Sequence, residues 1–242
     1  MVIDLLNSEP VADVDLKQRL SRLRETIARA AERAGRDPDE IEILPITKGH
    51  PASLIQLVEA AGLPAVGENR VAEAEEKRAL LGTSGLRWHM VGHLQRNKAA
   101  KALQLFDVIE TVDSARLASR TQAVAQAAGL TDVEVLAQVN TSGEAAKSGF
   151  TVDLALDEIG RMCEMEPLRV NGLMTMAPFT SDEAVLRRTF GAARELLDRC
   201  RREIDGFDGT VLSMGMSNDF EIAVEEGATR LRLGTVLFGE RA

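Results

Sequence analysis

Several residues of this sequence are of types, and at spacings, that could do chemistry. In "EILPITKGHP" an apolar run from Ile41 to Ile46 reads as a buried strand, and Thr47, Lys48 and a Gly49-His50-Pro51 turn follow it. A lysine at the mouth of a strand is partly removed from water, which lowers its pKa and lets a neutral amine attack a carbonyl. The plainer reading is a rim lysine that reaches solvent or pairs with Glu68. In "SMGMSNDFEIAVEEG" an apolar strand gives way to Gly215, Ser217 and a helix. Ser217 there reads as an N-cap, and the amides of a helix N-terminus attract anions. Gly234-Thr235 supplies a second turn with a small residue and a hydroxyl. His89 and His93 have the i,i+4 spacing that binds zinc on a helix. On a strand that spacing separates them by about 13 Å, so they cannot share a metal. His89 then reads as an interior residue and His93 as a pocket candidate.

The chain that must position these groups has 242 residues, 45% hydrophobic and 28% charged, enough to bury an ordinary globular core. Its formal net charge of -9 argues against a general nucleic-acid or membrane-surface binder, so an anionic ligand needs a local positive site. The short basic run "RNKAAK" and the run "EAEEKR" both read as solvated helix faces. Cys163 and Cys200 are the only cysteines, with no metal-binding spacing, and point to a reducing, cytoplasmic setting. The start "MVIDLLNSEP" lacks the features of a signal peptide, and no apolar run is long enough to span a bilayer.

Leu16, Leu20, Leu23 and Ile27 recur on one helical face, predicting a helix over 15–34 that Gly35 ends. Strands are predicted at 41–46, 64–67, 88–92, 106–112, 133–139, 172–176, 210–214 and 230–233. Helices are predicted between them at 52–61, 70–81, 95–105, 115–128, 154–165, 182–202 and 218–225. Strict βα alternation implies a parallel sheet with helices outside it, and eight units in this length is the size of a TIM (β/α)8 barrel. The whole chain, residues 1–242, then forms one barrel domain with an extra N-terminal helix. An open doubly wound sheet is the alternative, but no G-x-G-x-x-G follows the first strand.

Barrel chemistry sits at the C-terminal ends of the strands. Thr47-Lys48, Glu68-Asn69, His93, Gln95, Asn140-Thr141-Ser142, Thr175, Ser217-Asn218, Arg232 and Gly234-Thr235 all fall on that rim. Phosphate commonly binds after strands seven and eight of such barrels, so a phosphate cup at Ser217, Gly234 and Thr235 is favoured over a simple helix cap. An amine facing that cup suits a ligand with an aldehyde at one end and a phosphate at the other. Pyridoxal 5′-phosphate (PLP) has that form.

Eight segments, "ITKGHP", "GENRVAEA", "WHMVGHLQRNK", "TVDSARLA", "QVNTSGEAAKSGF", "GLMTMAP", "LSMGMSNDFEIAVEEGAT" and "RLRLGTVLFGER", occur in order from Ile46 to Arg241. With them the sequence resembles the pyridoxal phosphate homeostasis protein family (YggS/PROSC-like), whose single barrel is similar to the N-terminal domain of alanine racemase. The resemblance implies a Schiff base on Lys48, Asn69 near the cofactor ring, Ser217, Gly234 and Thr235 on the phosphate, and Arg232 facing the pyridine nitrogen. It also implies a monomeric intracellular PLP carrier, with PLP-dependent apo-enzymes as recipients. His50 stands where the family often has a second lysine, and Arg70 where it often has tyrosine.

Two functional classes follow: a carrier that buffers and delivers the cofactor without efficient catalysis, and a PLP-dependent amino-acid enzyme such as a racemase. A permanently charged guanidinium at the pyridine nitrogen disfavours the protonated ring that serves as an electron sink. Alanine racemase shares that arginine, so a second argument is needed. Its mechanism uses a lysine and a tyrosine base, and this sequence contains no tyrosine. The sequence also stops at Ala242, where the racemase's second domain would follow. The carrier is the expectation.

Overall fold

The computed structural model describes residues 13–144 and 147–239. The expected barrel is what forms. In chain order the elements are α1 (Asp13–Arg33), β1 (Glu42–Pro45), α2 (Ala52–Ala60), β2 (Ala65–Glu68), α3 (Val71–Leu81), β3 (Arg87–Met90), α4 (Ala99–Leu105) and β4 (Val108–Val112). They continue with α5 (Ala115–Ala127), β5 (Val133–Asn140), the two-residue β6 (Phe150–Thr151), α6 (Val152–Cys163), β7 (Leu168–Met174), α7 (Glu183–Glu203), β8 (Val211–Ser213), α8 (Phe220–Glu225), β9 (Arg230–Leu233) and the single turn α9 (Thr235–Phe238).

All ladders are parallel, in the order β1-β9-β8-β7-β5-β4-β3-β2. The path nearly closes: β1 and β2 meet through one bridge between Ile46 and Gly67, where the Thr47 amide donates to the Gly67 carbonyl at 3.1 Å. Short β6 pairs with the end of β5, outside this circuit.

The main apolar core lies between the outer face of the barrel and its helices, with Trp88, Ile109, Leu173 and Phe190 fully buried there. Helix α1 presents Leu16, Leu20, Leu23 and Ile27 to this core and packs on α8 and α9. Arg33 fixes α1 to α8 through Glu225 at 2.6 Å and Glu221 at 3.1 Å.

The barrel interior is polar through much of its height. At the end where the strands begin, Glu134 accepts from Arg87, Arg169 and Asn171 at 2.9, 3.1 and 2.9 Å. Deeper in, Glu110 meets Arg230 at 3.0 Å and His89 at 2.8 Å. Leu44, Ile46, Ala65 and Val91 form a separate small apolar cluster. This polarity explains the main boundary error: β7 begins at Leu168, four residues before the predicted strand at 172–176. Arg169 and Asn171 break the apolar run because they point at Glu134. The turn α9 was not anticipated, since Gly234-Thr235 reads equally as a loop.

Candidate functional site

Distant stretches of sequence converge because β9 lies between β1 and β8 in the sheet. The C-terminal ends of these three neighbours carry Lys48, Arg232 with Gly234-Thr235, and Ser217. Across the β1–β2 gap, β2 contributes Asn69, one residue past its end. All six sequence-predicted residues line a single cavity of about 460 Å³. Apolar walls come from Ile46, Val91, Met176 and Met216, and Phe179, 93% exposed, stands at its edge. A larger open cleft of about 790 Å³ lies between the 93–97 loop and the start of α5. Its polar wall is made of exposed residues such as Arg96, Arg116 and Arg120, and it takes in none of those six.

Lys48 is half-buried, in the loop that leaves β1. That loop is held from below. Thr47 donates its hydroxyl to Glu68 Oε1 at 2.6 Å, and Lys77 Nζ donates to the same oxygen at 2.6 Å and to the Thr47 carbonyl at 2.7 Å. Glu73 binds Lys77 at 2.7 Å and accepts the amide of Gly49. Burial pushes the Glu68 carboxyl above its usual range, against the opposing pull of Lys77 and Thr47. The reading of "EAEEKR" as a solvated face is therefore wrong for two of its residues. Lys77 is 5% exposed, and Glu73 closes the Lys48 loop. The periodicity of charges on α3 gave no sign that β2 would offer Lys77 a buried carboxylate. Asn69 is held by close approach: a Cβ on Gly92 would lie 2.2 Å from the Asn69 carbonyl oxygen.

The turn that carries Ser217 differs from expectation in one respect. Helix α8 starts at Phe220 and its N-cap is Asp219, so Ser217 does not cap it. Asp219 bonds back to the Met216 amide at 2.6 Å, and this tight turn delays the helix. Burial raises the Asp219 carboxyl above its ordinary pKa. The Ser217 hydroxyl instead accepts the amide of Val236 at 3.2 Å, tying the β8 loop to the first turn of α9. The amides of Leu237 and Phe238 both donate to the Gly234 carbonyl, at 2.9 Å, so what α9 brings to the cavity beside Ser217 is its first residue, Thr235, with a hydroxyl. Gly215, at φ +92°, makes the turn possible; a Cβ there would lie 2.6 Å from the Ala223 Cβ.

Arg232 is 5% exposed. Its guanidinium donates to the Ser213 hydroxyl at 2.8 Å and to the Thr175 carbonyl at 2.7 Å, and it reaches the cavity floor. Burial lowers its pKa while Glu110 and Asp219 oppose that shift.

Of the residues where the sequence departs from the family pattern, His50 lines the cavity and packs edge-on against Phe238, with centroids 5.4 Å apart. Arg70 is exposed at the start of α3. His93 bonds Asp113 at 3.1 Å and lines the neighbouring cleft, not the cavity. Lys147 also comes to the rim: it donates to the carbonyl of Met176, a cavity residue, at 3.3 Å. Lys48 is therefore not alone at the barrel mouth. Cys163 and Cys200 lie on the outer helices, and burial pushes the Cys200 thiol up to about 12. Among the described residues no cluster of His, Cys, Asp or Glu could hold a metal ion, and no helix is long and apolar enough to cross a membrane.

A nearly closed parallel barrel with helices between its strands is the fold of the alanine racemase N-terminal domain. The family model described as "Alanine racemase, N-terminal domain" matches residues 18–242. The chain belongs to this family and, within it, to the pyridoxal phosphate homeostasis proteins. The protein of that name from Pseudomonas aeruginosa is 37% identical over 226 residues, covering 93% of this chain and 96% of the relative. That from Escherichia coli is 39% identical over 237 residues, covering 94% and 97%. The PLP-bound structure of PipY from Synechococcus elongatus has a TM-score of 0.81 at 35% identity, over 93% of this chain and 100% of that one. Alanine racemase from Clostridium difficile shares the fold, at TM-score 0.77 and 18% identity, over 93% of this chain and 56% of the racemase.

Proposed function

We propose that this protein binds pyridoxal 5′-phosphate as a Schiff base on Lys48 and serves PLP homeostasis by buffering the cofactor and delivering it to recipient apo-enzymes, without efficient catalysis of its own. One observation carries this reading: Lys48, Arg232 and the Ser217–Gly234–Thr235 cup line the same cavity of about 460 Å³. The donors suit the group. An amine would take the aldehyde with loss of water, the Ser217 and Thr235 hydroxyls and the Gly234 turn would take the phosphate, and Asn69 would stand beside the ring. The names of the relatives and the PLP-bound PipY structure support the same ligand.

When bound to enzymes, PLP supplies an electron sink for carbanions. The site residues here do little to use it. Arg232 would present a permanent cation to the ring nitrogen, which opposes a proton there. The sequence offers no tyrosine as a second base, and both cysteines lie on outer helices. A second reading, an amino-acid racemase, has the racemase fold in its favour. Sustained turnover of an amino acid would decide for it.

The deciding experiment is absorption of the PLP-loaded protein before and after borohydride, followed by mass mapping. Label on Lys48 is expected. Label on Lys98, Lys101 or Lys147 instead would overturn the assignment.

A further inference from the structure

Beneath the cavity floor a chain of polar groups, partly exposed at Glu42 and buried beyond it, runs along the barrel interior. Glu42 meets Arg230 at 2.7 Å, Arg230 meets Glu110 Oε1 at 3.0 Å, and Ser213 Oγ meets Glu110 Oε2 at 2.6 Å. Arg232 then donates to Ser213 Oγ at 2.8 Å. Glu110 and Ser213 are fully buried, and Arg230 and Arg232 are each 5% exposed. An ionised carboxylate only accepts hydrogen bonds. Its contact with Ser213 therefore fixes the hydroxyl as donor toward Glu110 and turns a lone pair toward Arg232. Although burial alone would raise it, the Glu110 carboxyl is held down to about 2 by His89, Arg230 and Arg232, so it is ionised.

Arg230 and Arg232 stand two residues apart on β9 and both point inward, so their like charges oppose each other. Glu110 supplies the negative charge between them. Thr175 fixes one terminal nitrogen of Arg232 and Ser213 the other, which sets the plane of the guanidinium.

We infer that Glu110, through Ser213, is a positioning residue for Arg232, aiming its guanidinium at the ring nitrogen of the bound cofactor and offsetting its charge. This rests on the PLP reading above. A hydrogen bond to a charged group is among the stronger ones, so a well-aimed Arg232 should distinguish a ring nitrogen from a ring C–H by about tenfold or more. The test compares dissociation constants of the full-length protein for PLP and for its analogue with C–H in place of the ring nitrogen. Wild type is expected to prefer PLP. Ser213→Ala and Glu110→Gln are expected to lose that preference by weakening PLP alone, with the analogue held as before.

Circular dichroism confirms folding, and Ser213→Ala, which removes one oxygen, carries the test if Glu110→Gln does not fold. Folded variants that keep the wild-type preference, or that weaken both ligands equally, would overturn the inference and leave the proposed function standing. A wild type that binds both ligands alike would do the same. A wild type that binds neither would overturn the proposed function, and this inference with it.

Discussion

Lys48 and Ser217 were legible in the sequence as rim residues because each sits where an apolar run ends and a turn begins, and strand ends in a barrel share a rim; Arg232, inside β9, was singled out only by the family resemblance. Phe179 was not, because an aromatic in the "APFTSD" loop has no period to give it away. Lys77 and Glu73 were misread because their partners, Glu68 and the Gly49 amide, come from other elements. Lys48→Ala should abolish borohydride-fixed cofactor while leaving the thermal midpoint within a few degrees, since a half-buried rim side chain adds little to the core. Ser217→Asp puts a negative charge at the proposed phosphate position, in place of the hydroxyl that accepts the Val236 amide. PLP affinity measured by titration should fall by more than about tenfold, equivalent to about 1.4 kcal/mol.

At the scale of elements, the alternation of strand and helix was readable because the outer strand faces and inner helix faces are apolar. Boundaries failed where inward residues are charged, as at Arg169, or where a side chain closes a turn, as Asp219 does before α8. The connection from β8 to α8 depends on Gly215. Gly215→Ala would force a Cβ against Ala223 and Leu231 in a backbone conformation that disfavours it. The strain costs about 1–3 kcal/mol, seen as a lower denaturation midpoint with weakened PLP binding. The support beneath the Lys48 loop gives a second case. Lys77→Met removes the cation from a carboxylate that is fully buried. Breaking such a pair costs about 3–5 kcal/mol, or a drop of about 6–20 °C in a domain of this size. Adding Glu68→Gln, which removes the unpaired charge, should recover part of that loss.

Of the buried carboxylates among the described residues, Glu110 and Glu134 are held at about 2 although burial alone would raise them. Both are depressed below the ordinary value of 4.5. Their contribution to stability is therefore complete above about pH 4.5 and is lost as the pH falls through about 2. Each unit of difference is worth about 1.4 kcal/mol. Denaturant midpoints measured from pH 6 down to pH 2.5 should fall steeply below pH 4.5. Glu134→Gln should start lower and show a shallower slope, because one of the two linked protons is gone.

The barrel is fastened unevenly. Between β5 and β7 the ladder runs over most of both strands, whereas β1 and β2 share one bridge, supplemented by the side chains of Thr47, Glu68 and Lys77. Local opening follows the weakest set of contacts. In native-state hydrogen exchange the Thr47 amide should lose its protection far sooner than the amides of β5, and sooner still in Lys77→Met. Lys48 is the next residue along, so the lysine that would hold the cofactor rides on the segment that unzips first. A ligand fixed there would leave at the tempo of that unzipping, and its residence time could be changed from α3 without touching the pocket.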